Sequence, residues 1–243
     1  MVIGESGSGK TTAIQSARLS SPFVEIRRAS GISGTRNCDW WFFEQAIILD
    51  TAGRYAIPVD EGRDKDEWQR FLKLLAKFRK REPINGLVVT IAADKLASSG
   101  PDELEEEGRS IRRRIDELMR VLGAKFPVYV LVTKCDLVQG MTTFCDTLPE
   151  ETLGQAMGMI NQDLSTDAQS FTGSCMHSLG ERLRDLRLLL FHKSRSESPD
   201  PGLLLFPEEF ERLKPGLSAF MKGIMSKHSS ISWTGCEKSL KRP

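Results

Sequence analysis

The chain has 243 residues, enough for one large domain or a domain with an appendage, and 40% of them are apolar. Its 34 basic and 33 acidic side chains leave a net charge of +1, so the chain as a whole offers no electrostatic case for nucleic acid or an anionic membrane. The longest apolar runs, at 87–93 and 128–132, are far too short to span a bilayer, no secretory leader is read before the first motif, and five scattered cysteines without a Cys-x-x-Cys pair argue against zinc and for a reducing compartment.

Met1-Val2-Ile3 reads as the end of a strand. Most of a first strand is therefore expected to be missing, and the chain is expected to be a fragment or a truncated reading frame. Gly4-Glu5-Ser6-Gly7-Ser8-Gly9-Lys10-Thr11 then fits G-x-x-x-x-G-K-[ST] at every specified position. The glycines let the loop wrap with its N–H groups pointing inward, where they cradle phosphate oxygens. Lys10 is expected to reach the β- and γ-phosphates and the Thr11 hydroxyl to ligate Mg²⁺, so these two are the candidate catalytic residues. Thr12 extends the phosphate-binding set. A helix is expected over 11–19, ending near Pro22 and adding its N-terminal dipole to the site.

Thr35 lies between this loop and the next motif, the interval in which small GTPases place a Mg²⁺-binding switch threonine; a plain turn residue is an equal reading. Trp40 and Trp41, beside Phe42 and Phe43, read as core or hinge packing in preference to a partner surface. Residues 46–49 form an apolar strand, and Ile47-Ile48-Leu49-Asp50 ends in a carboxylate placed to sit beside Mg²⁺. Asp50-Thr51-Ala52-Gly53 continues it as D-x-x-G, with the Gly53 amide able to sense a γ-phosphate. Where a water-orienting Gln would follow, Arg54-Tyr55 stands instead, so intrinsic hydrolysis is expected to be slow unless Arg54 or a partner completes the site.

Trp68, Phe71, Leu72, Leu75 and Phe78 fall on one face of a helix, and Leu104, Ile111, Ile115, Leu118 and Leu122 on one face of another. In the second, acidic residues precede arginines, which suits the helix dipole and reads as a solvated face. The runs at 87–91 and 128–132 are continuously apolar, as strands covered on both faces are. The second leads into Thr133-Lys134-Cys135-Asp136, the [NT]-K-x-D pattern in which Asp136 accepts hydrogen bonds from guanine, the Lys134 stem packs over the base, and Thr133 replaces the commoner Asn. The alternation predicts an α/β fold: a mostly parallel sheet with helices on both faces, in a P-loop NTPase arrangement.

Residues 1–140 are expected to form the nucleotide-binding core, 141–225 the remainder of the domain with helical additions, and 226–243 a loose tail. Within 141–225 the expectations are a loop with short helical turns at 142–158, an amphipathic helix through Leu179, Leu183, Leu186 and Leu190, a turn or linker at 194–202, a final strand at 203–206, and a last helix bent or interrupted at Pro215–Gly216. His177 and His192 lack ligand or triad context. A loop closing over the base is placed by position alone near Ser174 and Ser178.

Several long motifs occur in an order that is more specific than any one of them. Gly34-Thr35-Arg36-Asn37-Cys38-Asp39-Trp40-Trp41-Phe42 runs toward Asp50-Thr51-Ala52-Gly53-Arg54-Tyr55. Arg81-Glu82-Pro83-Ile84-Asn85-Gly86, Phe126-Pro127-Val128-Tyr129-Val130-Leu131-Val132 and Leu205-Phe206-Pro207-Glu208-Glu209-Phe210 follow. Together they closely resemble the N-terminal NTPase domain of the IcmF/TssM family of type VI secretion. The resemblance implies a domain on the cytoplasmic side of the bacterial inner membrane, anchored only through segments absent from this chain. It also implies partners of the IcmH/DotU type and baseplate components, with nucleotide binding or turnover gating assembly.

Three readings follow: a weak NTPase, a nucleotide-binding structural module without useful hydrolysis, and a regulatory GTPase unrelated to secretion. A kinase is disfavoured, since no acceptor site or lid is evident. GTP and ATP both remain open as the ligand.

Overall fold

A computed structural model describes residues 1–17, 19–20, 37–149, 152, 155, 157–161, 167–193 and 200–225. These form two compact units. The first comprises Met1–Ala92 with Arg109–Thr133, and the second Ala93–Gly108 with Lys134–Met225.

The first unit is built on a five-stranded sheet: β1 (Val2–Gly4), β2 (Cys38–Phe42), β3 (Ile47–Thr51), β4 (Leu87–Ala92) and β5 (Val128–Thr133), in the order β2-β3-β1-β4-β5. All pairings are parallel except β2 with β3, which is antiparallel. The sheet is thus α/β and mostly parallel, as expected, but the strand at 38–42 is an addition to the expected set. Its aromatics alternate across the pleat instead of forming a continuous apolar run. Trp41 is buried and pairs with Ile48, whereas Trp40 is 41% exposed and stacks on Phe42 at 6.3 Å.

β1 has only three residues, yet it is the central strand and pairs with both β3 and β4. Register puts Val2 and Val88 on one face, where Ile14 of α1 (Lys10–Ser16) and Trp41 complete a small core. On the opposite face Ile3, Leu49, Leu87, Val89 and Ile91 are all nearly inaccessible. Both faces of the sheet are therefore covered, which explains the uninterrupted apolar runs.

α2 (Gly53–Ala56) and α3 (Glu61–Phe78) follow β3. Asp60 caps α3, its carboxylate accepting from the amides of Gly62 and Arg63 at 3.1 Å each. Trp68 is buried within 5.5 Å of the Tyr55 ring, which ties α3 to α2. α5 (Pro101–Leu122) contributes Ile111, Ile115 and Leu118, each 0% exposed, to this unit.

The charged half of α5 is not simply a solvated face. Glu107, Arg112 and Glu117 are buried, and Arg112 and Arg114 pair with Asp116 at 2.9 Å and Glu117 at 3.0 Å. Their spacing at i,i+4 and i,i+3 satisfies the charges within the helix, which lets the stretch lie against protein.

The second unit is helical. It contains α4 (Ala93–Ser98), the first turns of α5, a 3₁₀ turn (Cys135–Leu137), α6 (Met141–Asp146), α7 (Ala168–Lys193), α8 (Pro201–Glu211) and α9 (Lys214–Met225). In it Lys95 pairs with Glu107 and Lys222 with Glu105, both at 2.7 Å.

The expected strand at 203–206 is the interior of α8. Asp200 caps that helix by accepting from Gly202 N at 2.7 Å and Pro201 opens it, so Leu203, Phe206 and Phe210 fall on one buried face. The last helical stretch is interrupted, as one of the two expectations had it, but between α8 and α9 and not at Pro215–Gly216; Pro215 lies in the first turn of α9, where its missing N–H costs nothing. Gly216 is required there because a Cβ would collide with the Leu96 carbonyl.

Candidate functional site

Open α/β sheets take ligands at the carboxyl ends of the strands, where the strand order reverses. Here the chain leaves β1 toward β3 and returns on the other side to β4, so the reversal lies beside β1. The glycine-rich loop, residues 4–9, is the segment that leaves the carboxyl end of β1.

The loop is held from several sides. A Cβ on Gly4 would strike the side chain and carbonyl of Thr90 on β4. The Ser8 hydroxyl lies 2.8 Å from the Thr90 hydroxyl, and the Thr133 hydroxyl donates to the Ser8 carbonyl at 2.5 Å. Gly7 and Gly9 adopt φ of 78° and 77°, left-handed values that favour glycine. Ser6 and Gly7 are exposed at the rim, and Ser8 is buried.

Lys10 is 6% exposed and folds back over the loop, donating to the carbonyls of Gly4 at 3.0 Å and Glu5 at 2.8 Å. Burial pushes its pKa below the ordinary lysine range, an effect that Asp50 and Glu5 partly offset. Thr11 Oγ1 donates to Asp50 Oδ2 at 2.6 Å, and Asp50 is 0% exposed at the end of β3. The sequence-predicted pair is thus in contact, and both atoms are hard oxygen donors of the kind Mg²⁺ takes alongside phosphate and water. Thr12 is exposed on α1. α1 closes at Ser16, short of the expected Leu19.

Gly53 lies against the loop's own backbone: a Cβ there would collide with Ser6 N and Cα and come within 2.6 Å of Glu5 C. The D-x-x-G segment therefore touches the glycine-rich loop directly. The next residue, Arg54, does not turn toward it. Its guanidinium donates to Asp64 at 2.8 Å, Glu67 at 2.7 Å and Asn37 Oδ1 at 2.6 Å. Burial opposes ionisation of Asp64, but the amides of Asp60 and Val59 together with Arg54 outweigh it and hold the carboxyl below the usual range. Arg54 in this conformation braces α3 and does not complete a hydrolytic site.

Thr133 is buried and spends its hydroxyl on the Ser8 and Ile91 carbonyls, so it supports the loop instead of facing a base. Lys134 and Asp136 belong to the second unit. Lys134 takes φ 53°, the one non-glycine residue with positive φ among those described, and its ammonium lies 3.4 Å from Asp94. Asp136 is exposed on the 3₁₀ turn.

Thr35 lies outside the described residues. Ser174 and Ser178 sit within α7, a continuous helix, and not on a loop that could close over a base. Burial, with Asp39 and Asp50 nearby, pushes the Cys38 thiol up to about 12, so it stays protonated.

Sequence reasoning missed Thr90, Asn37, Asp64 and Glu67. Thr90 carried a signal, as the one hydroxyl in the apolar run 87–93; Asp64 and Glu67 gain their roles only from the turn that brings α3 beside Arg54, and Asn37 from the pairing of β2 with β3.

A family model for the IcmF-related N-terminal domain matches residues 61–231. Over 232 residues the chain is 36% identical to the type VI secretion system component TssM1 of Pseudomonas aeruginosa strain PAO1, an alignment covering 92% of this chain and 21% of that protein. The chain thus spans about a fifth of its relative's length. No solved structure matches it.

Proposed function

Because this chain belongs to the IcmF/TssM family of type VI secretion components, we propose that it is a nucleotide-binding module, taking GTP or ATP with Mg²⁺ at residues 4–11. The observation that carries this reading is the contact between Thr11 and Asp50 at 2.6 Å beside a buried Lys10, all at the carboxyl end of the central strand. The loop amides and Lys10 would hold the β- and γ-phosphates, with Lys10 exchanging its bonds to the Gly4 and Glu5 carbonyls for phosphate oxygens. Thr11 and Asp50 would hold Mg²⁺, directly or through water. When bound, Mg²⁺ neutralises the charge of the phosphate oxygens. The Gly53 amide would report whether a γ-phosphate is present, a role supported by the close approach of Gly53 to Ser6. Base selectivity falls to Asp136 and Lys134, with Thr133 supporting the loop.

Binding without useful turnover is the form of this reading that one observation favours: Arg54, the nearest candidate to replace the missing Gln, is engaged by Asp64 and Glu67. Turnover is then slow until a partner supplies the missing group. By family, the module would work on the cytoplasmic side of the inner membrane with partners of the IcmH/DotU type and baseplate components. Among the described residues no helix is long and apolar enough to cross a membrane.

The test is titration of fluorescent GTP and ATP analogues, with Mg²⁺, into the chain and into Lys10→Ala. Binding that weakens about a hundredfold or more in the variant is expected, this being a charge-assisted contact to phosphate. A folded chain that binds neither nucleotide, or binds equally well without Lys10, overturns the proposal. A GTP preference abolished by Asp136→Ala would assign the base. Single-turnover hydrolysis, measured alone and with a partner, separates the two forms.

A further inference from the structure

The outer face of α3 and the three residues after it carry a local excess of positive charge, with Asp66 the exposed carboxylate on the same face. From Trp68 to Arg81 the chain carries Arg70, Lys73, Lys77, Arg79, Lys80 and Arg81 and no carboxylate, in a protein whose total charge is +1. All six cations are exposed, and none has a carboxylate partner among the described residues. This separates them from Arg63, earlier on the same helix, which pairs with Glu67 at 3.0 Å. Whole-chain neutrality conceals this local excess.

Two large apolar side chains lie among the cations. Leu74 is 55% exposed and Phe78 75% exposed, one helical turn apart. At about 100° per residue, Arg70, Lys73, Leu74, Lys77 and Phe78 fall within an arc of roughly 140°, while the buried Trp68, Leu72 and Leu75 occupy the opposite side. The Lys77 ammonium stands over the Phe78 ring, 5.6 Å from its centre, so charge and apolar surface lie side by side.

We propose that this face of α3 docks on an anionic lipid bilayer, with Phe78 and Leu74 entering the headgroup boundary and the six cations on surrounding lipid phosphates. Charge complementarity requires an anionic partner, and three features favour lipid over an acidic protein. Lysine is depleted at protein–protein interfaces, and three of the six cations are lysines. Two isolated apolar side chains are too few for a protein interface core, but they supply the second signal that stable membrane attachment needs beside a basic patch. Cations without fixed partners suit mobile headgroups, which impose no single geometry. This inference stands apart from the nucleotide site.

The test is flotation of the chain with vesicles of equal parts phosphatidylglycerol and phosphatidylcholine, and with vesicles of phosphatidylcholine alone. Binding is expected only to the first and is expected to disappear near ~1 M salt, where the screening length falls to about 3 Å. The triple variant Lys77→Glu, Arg79→Glu, Lys80→Glu should lower affinity at least about a hundredfold. Phe78→Ser should lower it about tenfold. All these positions are exposed, so the variants are expected to keep the wild-type circular dichroism. Phe78→Trp reports insertion through a blue shift on anionic vesicles, read as the difference from the wild-type chain with its four tryptophans. Failure of the folded chain to float, flotation untouched by the triple variant, or no difference shift from the Phe78→Trp variant would each overturn the proposal, the last by showing adsorption without insertion.

Discussion

The Thr133 hydroxyl, at the end of β5, donates to the main-chain carbonyl of Ser8 at 2.5 Å across 125 residues of sequence. The threonine that stands where a base-reading motif more often has asparagine therefore supports the glycine-rich loop. Thr133→Val keeps the shape and removes the donor, leaving the buried Ser8 carbonyl without it. We expect a loss of about 1–2 kcal/mol in urea denaturation, with Thr133→Ser recovering most of it.

Gly53 meets the loop on another side, with no room for a side chain against Ser6. Gly53→Ala must push the two backbones apart, at a cost of about 1–3 kcal/mol. Since the separation falls where a γ-phosphate would be sensed, the ratio of triphosphate to diphosphate affinity should fall more than either affinity alone. Parallel titrations with both nucleotides would show it.

The lowered pKa of Lys10 has two consequences of opposite sign. Burial makes the charged form costly in the folded chain, so between the depressed folded pKa and the ordinary lysine value of 10.5 the unfolded chain binds more protons. Stability contributed by this residue therefore rises as pH rises through that window. Phosphate affinity moves the other way, because the neutral amine holds a phosphate poorly. The affinity advantage of the wild type over Lys10→Gln should shrink with rising pH, beginning below 10.5, in titrations across the alkaline range.

Arg54 and Asp64 form the fourth relationship. Asp64 is 2% exposed and its carboxyl is held below the usual range, so its contribution to stability is complete above the unfolded carboxylate pKa and is lost as pH falls through the depressed folded value. Arg54→Met removes one of the groups that depress it. The variant should lose about 2 kcal/mol near neutrality, the covered carboxylate losing its partner close to solvent. Its acid unfolding should also begin at a higher pH than that of the wild type. Thermal melts at stepped pH values would test both statements.

Much of the sheet was legible because its runs are almost continuously apolar: 87–91, covered on both faces, has Thr90 as its one hydroxyl, and 128–132 stays apolar although it is an edge strand with Leu131 exposed. The strand at 38–42 was not, since an edge strand buries one face only and its alternating aromatics resemble a surface cluster. The run at 203–206 misled in the opposite direction. Four apolar residues satisfy a buried strand and a helix interior equally, and the arbiter was the Asp200-Pro201-Gly202 start before it.

The sequence by itself determined that residues 4–11 form a glycine-rich loop matching G-x-x-x-x-G-K-[ST], that Asp50 ends an apolar strand, and that the chain belongs with the IcmF-related proteins. Those are properties of local spacing, and spacing survives without coordinates. Only the tertiary structure decided what each polar side chain spends its hydrogen bonds on. Thr133 and Thr90 turn to the loop, and Arg54 turns away from it to Asp64 and Glu67. A hydroxyl or a guanidinium carries the same donors wherever it stands. Which acceptor it reaches depends on strand order and helix placement, and these bring together residues that the sequence keeps tens of positions apart.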